Sequence, residues 1–219
     1  MYKLHGVGPS PFVRKVLIAL AEKKQPFEWV FLIPVNVAEE YLEIHPMGKV
    51  PSLQDGDLFV PDSSAILAYL DRKHPENSLY PDDAGDYARA IWLEEYADTR
   101  MNERLNGKIY APRVIRATFF GEAPDEEAVE QAIREELPPI CTYLEKQVSG
   151  AAPIVGPRLS VADLGIATIF VSLQHAGVSV DAATYPKLAA YATWLLERPS
   201  VAERIAEDKK TFAEASQPA

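Results

Sequence analysis

Cysteine is all but missing from this 219-residue chain, with Cys141 the single example. One thiol can neither close an internal disulfide nor make a CxxC redox pair, and its apolar, helical surroundings read as those of a buried group. Net positive charge is missing as well. The 22 Lys and Arg stand against 32 Asp and Glu, for a formal charge of −10. That argues against a nucleic-acid surface, which needs a basic face, and against an anionic membrane partner. Histidine is scarce, and His5, His45, His74 and His175 are dispersed without metal-ligand spacing, so no metal is expected. No apolar run approaches transmembrane length, and Met1-Tyr2-Lys3-Leu4 opens no signal peptide. A cytoplasmic, reduced setting is the expectation. There is no Gly-x-Ser-x-Gly elbow, which speaks against an acyl-transfer serine. Internal repeats and low-complexity tracts are absent.

What remains has the composition of an ordinary globular protein, 47 % apolar and 25 % charged, long enough to bury a real core. The stretch that organises it is Ser10-Pro11-Phe12. Ser is a favoured helix N-cap, and Pro at the next position has its φ preset and lacks an N–H that would be orphaned there. Val13, Val16, Leu17 and Leu20 then follow the i, i+3, i+4, i+7 spacing of a buried helical stripe. Lys23 and Lys24 fall in the last turn, where the helix dipole favours cations. A serine hydroxyl thus stands at the positive end of a helix, just after a strand, where a thiolate, phosphate or carboxylate is held. Taken alone, Ser10 reads as a plain cap.

Along the chain, Tyr2–Val7 and Phe27–Leu32 read as strands around a helix from Pro11 to about Lys24, a β-α-β unit whose strands are parallel with a right-handed crossover. Ala38 to Ile44 makes one or two helical turns. Asp55-Gly56-Asp57 between Ser52–Gln54 and Leu58–Val60 is a hairpin signal. Asp62-Ser63 opens a helix carrying Ile66, Leu67 and Leu70, which ends before Pro75. The order β-α-β, then β-β-α, is that of a thioredoxin-like domain, here residues 1–77. Asn77 to Asp86 reads as a linker, and residues 87–219 as a helical domain. In it a long helix runs from Tyr87 to about Gly107. A second spans Asp125 to Val148, with Pro138-Pro139 kinking or breaking it. Ser160 and Asp163 form a capping box, and Leu159 and Leu164 a hydrophobic staple, at the start of an almost wholly apolar helix running from Ala162 to about Ala176. A further helix runs from Tyr185-Pro186 through Leu196, and a short one starts at Pro199.

Four pieces in order, Ser10-Pro11-Phe12-Val13-Arg14-Lys15-Val16, His45-Pro46-Met47-Gly48-Lys49-Val50-Pro51, Asp62-Ser63-Ser64-Ala65-Ile66 and Ser160-Val161-Ala162-Asp163, resemble the soluble glutathione transferase family over essentially the whole chain. The Ser-Pro-Phe start resembles its serine-type classes. The resemblance implies a thioredoxin-like N-terminal domain followed by an all-helical C-terminal domain. It implies glutathione as co-substrate, a small and hydrophobic electrophile as second substrate, and a homodimer.

By the same resemblance Ser10 is the catalytic residue, donating to the glutathione sulfur. Val50-Pro51 matches the family's cis-proline, which leaves Val50 N–H and C=O to pair with the cysteinyl part of an extended glutathione. Ser63 serves the γ-glutamyl carboxylate and Asp62 the γ-glutamyl ammonium. Family members usually carry Glu or Gln there, so the shorter Asp shifts that contact or takes a water. Lys49 pairs with the glycyl carboxylate or is a solvated loop lysine. His45, where the family usually has Asn, is structural. Phe12, Tyr110 and Arg113, with the Phe119-Phe120 region, are candidates for lining the electrophile pocket, against a plain packing role. Pro51, Ser160 and Asp163 are assigned to structure, with Asp163 ionised at the positive helix end. The alternatives are a binding or scaffold protein without transfer activity, or another glutathione-dependent reaction: isomerisation, dehalogenation or peroxide reduction.

Overall fold

A computed structural model describes residues 1–215. They divide into two compact units, one spanning Met1–Leu79 and one beginning at Tyr80.

The first unit is built on a four-stranded sheet in the order β2-β1-β3-β4. β1 (Tyr2–Gly6) pairs in parallel with β2 (Phe27–Phe31) and antiparallel with β3 (Ser52–Asp55), and β3 pairs antiparallel with β4 (Leu58–Pro61). The parallel pair follows from the crossover through α1 (Pro11–Glu22), and the hairpin from Asp55-Gly56-Asp57. α2 (Glu39–Ile44) is short, and α3 (Ser63–Lys73) packs against α1. The expected stripe Val13, Val16, Leu17 and Leu20 is buried, together with Leu4, Leu53, Ile66, Leu67 and Leu70. Gly6 is required at the end of β1, since a Cβ there would lie 2.5 Å from Val13 Cγ2. That close approach seats the start of α1 on the sheet.

The lysines at the end of α1 depart from expectation. The helix closes at Glu22, Lys23 is its C-cap and Lys24 has φ 54°. Lys23 is not a solvated cation near a dipole. It is buried and reaches the C-terminal end of α3, where it donates to the carbonyls of His74 (2.9 Å) and Asn77 (2.8 Å).

The second unit is helical. α4 (Ala84–Tyr96) continues through wide π-type turns over Ala97–Arg116 into α5 (Ala117–Phe120). It starts earlier than expected, inside the stretch read as a linker, because Asp83 caps it by accepting from the N–H groups of Gly85 and Asp86. It also runs past Gly107. The wider turn accommodates Pro112, whose ring clashes with the carbonyl four residues back in a regular helix, and packing on the central helix holds it there. The Asp125–Val148 segment breaks as expected, into α6 (Glu126–Glu135) and α7 (Leu137–Glu145). The break falls at Glu136, with Pro138 and Pro139 inside the first turn of α7, where no N–H is needed.

α8 (Val161–His175) is the core of this unit, buried from Val161 through Leu173. Gly165 lets it approach the end of α4 closely, since a Cβ there would lie 3.2 Å from that of Ala97 and 3.7 Å from Glu94 Cα. α9 (Pro186–Leu196) matches expectation. α10 (Pro199–Ala215) is 17 residues long rather than short, because Val201, Arg204, Ile205 and Asp208 recur at helical spacing and are buried. No described helix is long and apolar enough to cross a membrane.

Candidate functional site

The register of the sheet decides which sequence motifs share a neighbourhood. Ser52, the first residue of β3, stands opposite His5 near the end of β1 and opposite Pro61 at the end of β4. Three segments therefore leave the sheet at one end: the Gly6–Ser10 turn, the Val50–Pro51 approach to β3, and Asp62-Ser63 after β4. These are the three motifs singled out in the first unit.

Ser10 caps α1. Its N–H donates to Val7 O (3.1 Å), its carbonyl accepts from Arg14 N (2.9 Å), and its Oγ accepts a long bond from Val13 N (3.5 Å). The capping bond uses the oxygen as acceptor and leaves the hydroxyl hydrogen to be donated. Arg14, fully buried, steadies the turn from below by donating through Nη2 to Pro9 O (3.4 Å).

The Val50–Pro51 bond is cis. The antiparallel ladder of β3 begins only at Ser52, so it does not use the N–H and C=O of Val50. The segment before it is well held. Tyr41 of α2 donates to Lys49 O (2.7 Å) and accepts from Ser52 Oγ (3.2 Å), and the buried His45 ring stacks on Tyr41. Burial pushes the His45 imidazole below its ordinary pKa, against a smaller upward pull from Asp62. His45 thus sits as a neutral spacer in the loop. The Lys49 side chain is exposed.

Asp62 is the N-cap of α3, with φ 74°, and its Oδ1 accepts from the N–H groups of Ser64 (2.9 Å) and Ala65 (3.1 Å). Ser63, the first helical residue, is buried. A backbone N–H and a hydroxyl at a helix N-terminus suit a carboxylate. Ser64 Oγ accepts from Lys15 Nζ at 3.1 Å. Nothing in the sequence announced the burial of Lys15 and Arg14, because basic residues beside an apolar stripe are ordinarily solvated.

In the second unit Tyr110 is buried, and Arg113 is held by Glu126 (2.6 Å) and Glu130 (2.7 Å) and donates to Ala176 O (3.3 Å). Phe12, in the first unit, is half-buried. Asp163 is fully enclosed. It accepts from Ile154 N (2.9 Å), Ser160 N (2.8 Å), Ser160 Oγ (2.9 Å) and Tyr191 OH (2.7 Å). Burial pushes its pKa up, and the four donors only oppose that shift. Cys141 is buried, and its thiol is pushed up to about 12.

A small mixed sheet flanked by helices, followed by a helical unit, is the glutathione transferase fold. The N-terminal domain family of glutathione S-transferases matches residues 4–78, and their C-terminal domain family residues 113–208. A probable glutathione S-transferase of Oryza sativa is 34 % identical, over 90 % of this chain and 93 % of its own length. A glutathione S-transferase crystal structure from Rhodospirillum rubrum superposes with a TM-score of 0.83 at 27 % identity, covering 93 % of this chain and 91 % of that one. A glutathione transferase homologue from Drosophila mojavensis with bound glutathione gives 0.78 at 30 % identity, covering 98 % and 95 %. The chain belongs to the glutathione S-transferase family.

Proposed function

We propose that the protein is a glutathione transferase of the serine type, in which the first unit binds glutathione and Ser10 activates its thiol. The observation that carries this reading is the shared register at Ser52, which brings Ser10, Val50–Pro51 and Asp62-Ser63 to one end of the sheet. Val50 N–H and C=O take the cysteinyl backbone as an added strand. Ser63 holds the γ-glutamyl carboxylate and Lys49 the glycyl carboxylate. Asp62 keeps Oδ1 on its cap, so Oδ2 is left for the γ-glutamyl ammonium.

Ser10 Oγ–H donates to the sulfur and does not itself attack. A free thiol titrates near ~8.5. A hydrogen bond to a charged group contributes about 1.5–3 kcal/mol, and the helix end about 0.3–1 kcal/mol. Together these amount to roughly two pKa units, which puts the bound thiol near ~6.5 and leaves it mainly thiolate at neutral pH. The thiolate then forms a C–S bond to a small, hydrophobic electrophile, either expelling a leaving group with its electron pair or adding to an activated double bond that then takes up a proton from water. The helical unit supplies the electrophile's pocket in this reading, with Tyr110 and Arg113 as its candidate residues. Ser160 and Asp163 serve folding.

A homodimer belongs to the same reading, since closed two-fold dimers are the commonest oligomers and Tyr87 and Trp92 of α4 are exposed aromatics. So does a cytoplasmic setting, which the single reduced cysteine favours. The second reading is a binding protein of the same fold without transfer activity, favoured by the commitment of Asp62 Oδ1 to capping. Two measurements separate them. Glutathione at about 100 times its Kd should stabilise the native protein by about 2.7 kcal/mol, and a panel of electrophiles should show conjugation. Stabilisation without conjugation of any electrophile supports the binding protein. No stabilisation up to millimolar glutathione ends the transferase reading.

A further inference from the structure

The ladder of β3 begins at Ser52 and does not hold Val50, the residue assigned above to the cysteinyl backbone. An edge that pairs with a ligand must be fixed beforehand, or part of the binding energy is lost to ordering it. Tyr41, on α2 and buried, is the residue that can fix this one. Its carbonyl accepts from His45 N at 2.8 Å. Its hydroxyl donates to Lys49 O at 2.7 Å and accepts from Ser52 Oγ at 3.2 Å. The directions are forced, because a carbonyl can only accept: the single Tyr41 hydrogen goes to Lys49, and the Ser52 hydrogen goes to Tyr41. Within the loop, Gly48 N donates to His45 O at 2.8 Å. One residue thus brackets both ends of the His45–Lys49 loop. Through Ser52 it ties that loop to the point in the sheet where the three motifs meet. The ring packs against the imidazoles of His45 and His5. Phenylalanine would serve that packing, and a buried hydroxyl is tolerated because its hydrogen bonds are made.

We propose that Tyr41 is a positioning residue of the glutathione site: its hydroxyl, bridging Lys49 O and Ser52 Oγ, holds the backbone on both sides of Val50–Pro51 in the place where the cysteinyl part of glutathione pairs. This rests on the glutathione-binding reading given above. The contribution of Tyr41 is separable from that of Ser10. A backbone pairing that is equal in ground and transition states lowers KM and leaves kcat alone, whereas the Ser10 bond strengthens as the thiolate forms. Ser10 is also held by the start of α1 and not by this loop.

The test is calorimetric titration of the parent, Tyr41→Phe, Ser52→Ala and the double variant with S-methylglutathione, which has no thiol and so reports on the peptide contacts. Tyr41→Phe keeps the packed ring and removes only the hydroxyl. It should bind about five- to tenfold more weakly than the parent. It should raise KM for glutathione by a similar factor, with kcat and the thiol pKa of bound glutathione unchanged. Ser52→Ala should weaken binding less. The double variant should lose no more than Tyr41→Phe alone, because the Ser52 bond acts through the Tyr41 hydroxyl. Tyr69→Phe is the control. It removes a hydroxyl that donates to Asp55, at the other end of β3, and should leave the affinity unchanged. Equal affinity of parent and Tyr41→Phe, whatever the change in melting temperature, overturns the role of Tyr41 and leaves the glutathione reading standing. So does an equal loss in Tyr69→Phe, or a double variant whose losses add. A folded parent that does not bind S-methylglutathione overturns both.

Discussion

Lys23 Nζ stands 2.7 Å from Asp71 Oδ1, joining the C-cap of α1 to the far end of α3. The ammonium is fully buried and the carboxylate nearly so, and Asp71 also accepts from Ser78 Oγ and Leu79 N. This pair closes the first unit at the end away from Ser10. Lys23→Met should cost about 2–4 kcal/mol, because removing one partner leaves a carboxylate poorly compensated. The remaining donors to Asp71 keep the cost below the full range. Pairing it with Asp71→Asn should recover part of the loss, as read from urea unfolding. A single-variant cost under about 0.5 kcal/mol would mean a solvated, dispensable pair.

Ser10→Ala should lower kcat far more than it weakens glutathione binding, since it removes a donor to the thiolate and leaves the peptide contacts. The thiol pKa of bound glutathione should rise by about one to two units. Ultraviolet titration of the thiolate reads it directly. An unchanged pKa would reduce Ser10 to a helix cap.

Asp163→Ala strands the donors Ile154 N–H, Ser160 N–H and Tyr191 OH in the core of the second unit. Each unsatisfied buried group costs about 1–3 kcal/mol, so the loss should reach at least about 3 kcal/mol. Refolding should slow, while folded protein keeps its glutathione affinity and turnover. The pH dependence has a definite sign. The folded pKa of Asp163 is raised by burial, so the folded state holds this proton more tightly than the unfolded chain. The stability it contributes is complete below the unfolded value near ~3.9 and is lost as pH rises through the folded value. Asp163→Asn should flatten that slope. A variant that folds like the parent but loses turnover would instead place Asp163 in the chemistry.

His5 and His45 should dominate the opposite slope. Burial lowers both pKa values, so on acidification the unfolded chain takes up these protons first. Stability should fall as pH drops below about 6.5 and level off below the folded values. The double variant His5→Gln/His45→Gln should show a shallower fall in melting temperature between pH 7 and 5. Parallel curves for variant and parent would exclude both histidines as the cause.

The chain of 24.3 kDa should sediment as a single species of about twice that mass at micromolar concentration. A stable 24.3 kDa species there would contradict the dimer.

Much of the candidate site is legible in the sequence. Ser10-Pro11 is a cap signal with a mechanism. Asp55-Gly56-Asp57 announces the hairpin, and Ser160 and Asp163 announce α8. These are local rules, satisfied by residues within a few positions of one another, so spacing reveals them. Less legible were Asp83, whose cap starts α4 inside a polar stretch that resembles a linker, and Pro112, which a widened helix absorbs. The second depends on what the helix packs against, while the first is a local cap hidden among several acidic residues.

By itself the sequence determined the element order, the parallel β1–β2 crossover, the apolar stripes of α1 and α8, and the N-caps of α1, α3 and α8, because backbone preferences and periodic burial act over short range. Only the tertiary structure decided that β3 begins at Ser52, which gathers three distant motifs at one end of the sheet. It alone also decided that Lys15 and Lys23 are buried, and that Tyr191 completes the shell of Asp163. The physical reason is the same in each case. A charge or hydroxyl on a helix is cheap in water and costly inside, and which of the two it meets depends on partners 28 to 54 positions away.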